Sequence, residues 1–340
     1  MEFYVKNRID ETKIKRRSII NSIIKYVFAA VSIICASFII MIVIFISLKG
    51  ISPFVREYTV SGDPMRVNFW QFLIGREWSA PNIYGVGYLI INTLYVILLA
   101  LIIAIPCSVF GALLIAKIAP KKIGTFMMVI IEILAAIPSI VYGVFGAGFI
   151  VRIVKWLANL FGVQTAGGLS IMATALVLAI MIIPTITTLS VSAIRAVPRE
   201  LEHGSLALGA TVTQTNFRVV LASAKSGIFA GIMLGVGRAL GEATAVTMVC
   251  GSMNSGPTFG LFQRTNTLTS VMLASFNESE GLNYDIRFSA GLVLVVVILI
   301  TNLILNTVKK KLGRVVTKWQ GKLKIVLCKL LPISFLPSRY

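Results

Sequence analysis

The chain has 340 residues, 57% of them hydrophobic and 13% charged, where soluble domains average roughly 45–50% and about 25%, so an ordinary soluble protein is excluded. Lys and Arg outnumber Asp and Glu by 32 to 13, a formal +19, and where those charges sit decides between nucleic acid and membrane topology. Cys35, Cys107, Cys250 and Cys328 are scattered singly and His203 is the one histidine, which argues against a disulfide framework, a metal site and an imidazole-based catalytic triad.

Residues 1–17 form a basic N-terminus. Crossing the hydrocarbon core takes about 20 apolar residues in a helix, and six stretches reach that length: Ser18–Leu48, Tyr88–Ala116, Ile123–Val151, Leu169–Ser190, Gly227–Gly251 and Ile286–Val308. Lipid offers the backbone no hydrogen-bonding partner, so these runs predict helices and an all-α, six-span membrane protein. The first run is too long for the core of a cleaved signal peptide and reads as a retained span. Between it and the second lies an external loop, 49–87, with Trp70, Trp78 and Tyr84 as interface or partner-facing aromatics. A five-helix core over 88–308 follows, interrupted by a cytoplasmic segment, 191–226, with Gly204 and Gly209 as break points. The tail, 309–340, reads as a basic amphipathic helix, with Lys311, Lys318, Lys322 and Lys329 on one face, suited to an anionic bilayer surface or equally to a positive stop signal.

With both termini inside, 23 basic residues fall on the cytoplasmic side and eight outside. The charge excess therefore records topology and implies no nucleic-acid partner. Arg238 belongs to neither side. It stands about eleven residues into the fifth stretch, roughly 17 Å at 1.5 Å per residue, where a guanidinium is costly and normally faces an interior or aqueous path. At 100° per residue, Gly227, Gly231, Gly235, Arg238, Glu242 and Ala245 share one stripe of that helix. The glycines then serve helix packing. Glu132 in the third stretch should lie at a similar depth, so an ion pair of Arg238 with Glu132 or Glu242 is expected; neutralisation within a packing face is the bland alternative, lining of a polar pathway the functional one. Pro106, Pro138 and Pro184 interrupt spans, and Pro138, Ser139 and Tyr142 form a candidate pathway wall.

Val197-Pro198-Arg199-Glu200-Leu201, Leu206-Ala207-Leu208-Gly209-Ala210-Thr211 and Arg218-Val219-Val220-Leu221 resemble the coupling loop of the membrane subunits of bacterial ABC importers. With Gly237-Arg238-Ala239-Leu240-Gly241-Glu242 and Ile137-Pro138-Ser139-Ile140-Val141-Tyr142-Gly143, the chain resembles the PstC family of phosphate permeases over about Ile19 to Val308. The resemblance implies a type I importer (MetI-like) permease fold in a bacterial plasma membrane. It implies a PstA-like sister permease, two copies of a PstB-like ATPase that hold ATP and Mg, and an external PstS-like phosphate-binding protein. It also implies that Glu200, Glu202, His203, Gly204, Ala207, Gly209, Ala210, Val219 and Leu221 form the ATPase-docking surface, Gly209 being its turn. His203-Gly204-Ser205 and Ala222 depart from the family's Glu-Ala-Ala and proline, with Glu202 as a possible displaced carboxylate.

The chain has no GxxxxGK[ST] run and is expected to be a transport subunit rather than an enzyme, with no cofactor of its own. A guanidinium in the path suits an oxyanion such as phosphate. Sulfate or molybdate, the sister subunit, and an ion-coupled secondary transporter using the same charged residues are the alternatives.

Overall fold

The computed structural model describes the backbone of residues 11–60 and 62–330 and the side chains of residues 19–60 and 62–310. The order begins with α1 (Glu11–Val55), then β1 (Tyr58–Val60) and β2 (Asp63–Met65), α2 (Phe69–Ile74), and β3 (Trp78–Ser79) with β4 (Ile83–Tyr84). It continues with α3 (Gly87–Leu113), α4 (Lys121–Ala136), α5 (Ser139–Phe145), α6 (Val151–Leu160), α7 (Ile171–Arg195) and α8 (Arg199–Ala207). Last come α9 (Val212–Gln214), α10 (Leu221–Leu240), α11 (Thr244–Val249), α12 (Leu268–Leu273) and α13 (Gly281–Leu330). The strands form two antiparallel hairpins, β1 with β2 and β3 with β4.

Six helical segments among the described residues are long and apolar enough to span a bilayer: Ile19–Val55, Gly87–Ile118, Ser139–Leu160, Ile171–Arg195, Val212–Leu240 and Gly281–Lys310. Two differ from the sequence expectation. The apolar run 123–151 is not one helix, because Ile137 is extended (φ −65°, ψ 129°) ahead of Pro138, and α4 ends there. Proline has no N–H to donate and its ring disfavours helical backbone in the preceding residue. The third spanning segment is therefore the α5–α6 rod, shifted toward the C-terminus. The fifth span lies earlier than 227–251. A π-helical turn (Thr215–Val220) joins α9 to α10, so one rod runs from Val212 to Leu240 and stops at Gly241. By contrast, Pro106 and Pro184 sit inside continuous helices, α3 and α7, and do not break them.

The most buried helix is α7, which packs along α3 and α10. Apolar side chains of these three helices and α11, Val96, Ile182, Ile186, Leu240 and Val249 among them, form the central cluster. The stripe of small residues on α10 permits its close approach to α7. A Cβ on Gly227 would stand 2.5 Å from that of Ala193, and one on Gly235 would stand 2.8 Å from Ile186 Cγ1. Gly231 likewise faces Leu189 and Ile186, so all three predicted packing glycines meet the same neighbour.

Helix α1 buries none of its apolar window within the chain and leans on α13. That contact is fastened at one end: Ser289 Oγ donates to Gly50 O (2.6 Å), Tyr58 Oη donates to Asp285 Oδ2 (2.7 Å), and Lys49 Nζ lies 3.3 Å from Asp285 Oδ1. The loop segment after α1 is folded, with α2 and the hairpins packed over a second cluster that includes Phe72, Trp78, Tyr84 and Ile286. Backbone helix continues from α13 through Lys309 to Leu330, so no separate tail helix begins at 309. The lysine face predicted beyond Lys310 lies outside the described side chains.

Candidate translocation groove and docking loop

Arg238 is in the last turn of α10, where the unsatisfied carbonyls of the helix end favour a cation. Its Nη1 donates to Thr185 Oγ1 of α7 at 3.1 Å. Beside it an open groove of about 600 Å3 is lined by Thr185, Leu234, Gly237, Arg238, Asn302 and Lys309, with smaller contributions from neighbouring apolar groups. Asn302 and Lys309 are seven residues apart on α13 and so share a face. Among the described residues, the groove thus carries two cations and two neutral polar groups along otherwise apolar walls, and no carboxylate.

The expected ion pairs do not form. Because α10 ends at Gly241, Glu242 is not one helical turn beyond Arg238 on the same face. Instead Glu242 Oε1 accepts from Ala245 N at 2.9 Å, holding the first turn of α11, and Glu242 O accepts from Thr269 Oγ1 of α12 at 2.7 Å. Glu132 is exposed on α4 and makes no ion pair among the described residues. Pro138 and Ser139 stand at the α4–α5 break, bridged by Tyr142 Oη donating to Leu134 O at 2.6 Å. Gly143 packs this break against Met248 and Ala245 of α11. These residues flank α11 and do not line the Arg238 groove. Sequence reasoning missed Thr185, Asn302 and Lys309. A polar residue just after Pro184 and an Asn–Lys pair at a spacing of seven were the available signals.

At the other end of α10, α8 begins after Pro198, with Glu200 and Glu202 in its first turn. Gly204 lies within α8 and is not a break point. Gly209 is one: its φ of +84° turns the chain between α8 and α9, a conformation glycine adopts without strain. Thr211 then caps α9 in a capping box with Gln214. No residue of α8 is buried, and Leu201, Leu206 and Val212 are exposed, as is Leu208 at 91%. Glu200, His203 and Ala207 are exposed too, Ala210, Val219 and Leu221 partly. Glu202 differs, because its carboxylate forms an ion pair with Lys117 at the end of the α3 rod. That pair, with Ser205 Oγ 2.9 Å from Thr215 Oγ1, holds α8 against the bundle.

Residues 104–318, which contain the Arg238 groove, the α4–α5 break and the α8–α9 turn, match the family model for the binding-protein-dependent transport system inner membrane component. The chain belongs to that family. The permease is 36% identical over 264 residues to the phosphate transport system permease protein PstC of Pasteurella multocida, covering 72% of this chain and 82% of that protein. It is 33% identical over 262 residues to the probable ABC transporter permease protein YqgH of Bacillus subtilis, covering 76% and 80%. In fold it is similar to a chain of the bacterial alginate ABC transporter solved with a pentasaccharide-bound periplasmic protein. That match has a TM-score of 0.56 at 16% identity and covers 88% of this permease and 96% of that chain. The family match, the permease relatives and the six apolar helices make it a multi-pass membrane protein and a permease subunit of an ABC importer.

Proposed function

We propose that this permease, beside a PstA-like sister permease, forms the path by which inorganic phosphate enters the cell. A PstS-like binding protein delivers phosphate at the hairpin end, and two PstB-like ATPases, holding ATP and Mg, drive the cycle from the α8 end. The observation that carries the reading is the groove in which Arg238, Lys309, Asn302 and Thr185 converge, with no carboxylate among the described residues. Guanidinium, ammonium, amide and hydroxyl donors suit the oxygens of a tetrahedral oxyanion, and a groove open to one side binds weakly enough to release it. The exposed leucines of α8 and the turn at Gly209 supply an apolar surface, outside the spanning segments, for a partner's groove.

The test is ATP-dependent [32P]phosphate uptake into cells or vesicles co-expressing this chain with the candidate partners, with sulfate and molybdate as competitors. Uptake that needs the ATPase and is insensitive to equimolar sulfate is expected. Uptake by this chain alone would refute the importer-subunit reading, and preferential transport of sulfate would refute the substrate.

A further inference from the structure

Arg287, in the second turn of α13, is 5% exposed. Its Nη1 donates to Val271 O and Ala274 O, the carbonyls that end α12. That contact occupies one of three nitrogens. Nε is buried without a partner, and among the described residues no carboxylate lies within ion-pair distance of the guanidinium. The acid nearest in sequence, Asp285, is already taken by Lys49 and Tyr58. A buried guanidinium left with an unmet donor and no counter-charge is an unfavourable arrangement unless something else completes it.

Arg287 lines a cavity of about 310 Å3 together with Trp78, Ser79, Ser252, Asn254, Asn266 and Ser275. No acidic residue lines it among those described. Among the described residues, the side chains of Ser79, Ser252, Asn254 and Ser275 make no hydrogen bond within the chain, and Ser252, Asn254 and Ser275 are exposed at the cavity that Arg287 lines. Ser252 (φ +50°) and Ser275 (φ +53°) are also the two non-glycine residues with left-handed backbone among those described, and both border this cavity. Sparsely populated backbone of this kind costs of order 1–3 kcal/mol each and gathers at ligand sites. The tyrosine packed edge-on against Trp78, Tyr84, also buries its hydroxyl without a partner.

We infer that this cavity is a receiving site for a free tetrahedral oxyanion at the hairpin end of the permease, with the Arg287 guanidinium as its charge partner and the Ser252, Asn254 and Ser275 side chains as neutral donors. The site rests on the phosphate-import reading for its physiological occupant. It also connects to the groove. Helix α12, six residues and about 9 Å long, meets Arg287 at its C-terminal end, while Thr269 in its first turn bonds to the backbone of Glu242, four residues after Arg238. An anion released by the binding protein therefore meets the buried Arg287 before it reaches the half-buried Arg238.

The experiment measures saturable binding of [32P]orthophosphate, with sulfate as a second probe, to the full chain in lipid nanodiscs without any ATPase. Arg287→Gln removes the charge but also the α12 contact, so two gentler variants decide the matter. Asn254→Asp places a negative charge in the cavity from an exposed side chain. Ser275→Gly removes a hydroxyl while relieving left-handed backbone, so a merely structural role would leave the variant as stable or more so. Saturable binding weakened at least tenfold in Asn254→Asp, and weakened in Ser275→Gly without loss of thermal stability, is expected. Absence of saturable binding by either anion, or equal affinity in both variants, would overturn the inference. Unchanged phosphate KM in the assembled importer carrying Asn254→Asp would also overturn it while leaving the import reading intact. Sulfate binding that Asn254→Asp abolishes, with no phosphate binding, would uphold the site and refute phosphate as its occupant.

Discussion

Arg238 donates to the Thr185 hydroxyl at 3.1 Å across the α10–α7 contact, and its charge has no carboxylate partner among the described residues. A neutral hydroxyl holds a guanidinium in place without neutralising it, which leaves its remaining donors free for an anion in the groove. Arg238→Gln is expected to lower phosphate uptake at least tenfold with normal membrane abundance, and Arg238→Lys to recover part of it, because the ammonium keeps the charge but loses the fork. Thr185→Val should cost less, a severalfold rise in KM. Wild-type uptake by Arg238→Gln in a chain that still assembles would remove this residue from the path.

Glu242 is predicted to behave differently from Arg238. Its carboxylate holds Ala245 N at the start of α11, so Glu242→Gln keeps an acceptor there while Glu242→Ala leaves the helix start uncapped. Loss of such a cap costs about 1 kcal/mol. The expected result is near-normal uptake with Glu242→Gln and a lowered unfolding temperature in detergent with Glu242→Ala. An equal collapse of transport in both would restore a charge role for Glu242.

The contrast between these two residues shows where sequence reasoning stopped. The glycine stripe, the Gly209 turn and four of the six spans were legible, because apolar length and small-residue spacing depend on local pattern alone. The Arg238–Glu242 face was inferred by continuing an ideal helix past Leu240, but Gly241 ends it and sends the chain into α11. Pro138 is expected to interrupt its span, as are Pro106 and Pro184, but local pattern does not separate the proline that ends a helix from the two that sit inside continuous ones. The Arg238–Thr185 contact joins residues 53 apart on two helices, a relation no periodicity encodes.

At the docking end, Gly209→Pro would impose φ near −65° on a residue held at +84°, and should uncouple ATP hydrolysis from transport while leaving the permease in the membrane. Leu208→Glu should weaken ATPase association at least tenfold, since a leucine 91% exposed in the isolated chain has apolar surface to bury only in a partner. Glu202→Lys should impair assembly, and adding Lys117→Glu should restore it by re-forming the pair with its signs exchanged. ATPase co-purification with the single and double variants checks this. Failure of the double variant to recover would show that Glu202 serves the partner directly.

The fastening of α1 to α13 gives a prediction in pH. The Tyr58 hydroxyl donates to Asp285, and burial, more than any other cause, raises the Tyr58 pKa above its ordinary value of 10.0. The folded state therefore holds this proton more tightly than the unfolded chain does. Its contribution is fully present below pH about 10 and is lost as pH rises through the higher folded value. Ionised, Tyr58 would set a phenolate against the Asp285 carboxylate and give up the bond that ties the start of the hairpin segment to α13. Thermal unfolding in detergent should show the wild type losing stability between pH 9 and pH 12 more steeply than Tyr58→Phe, which has no proton to lose there. Parallel profiles for the two proteins would mean that this hydrogen bond does not secure the first helix, leaving Ser289 and Lys49 to hold it.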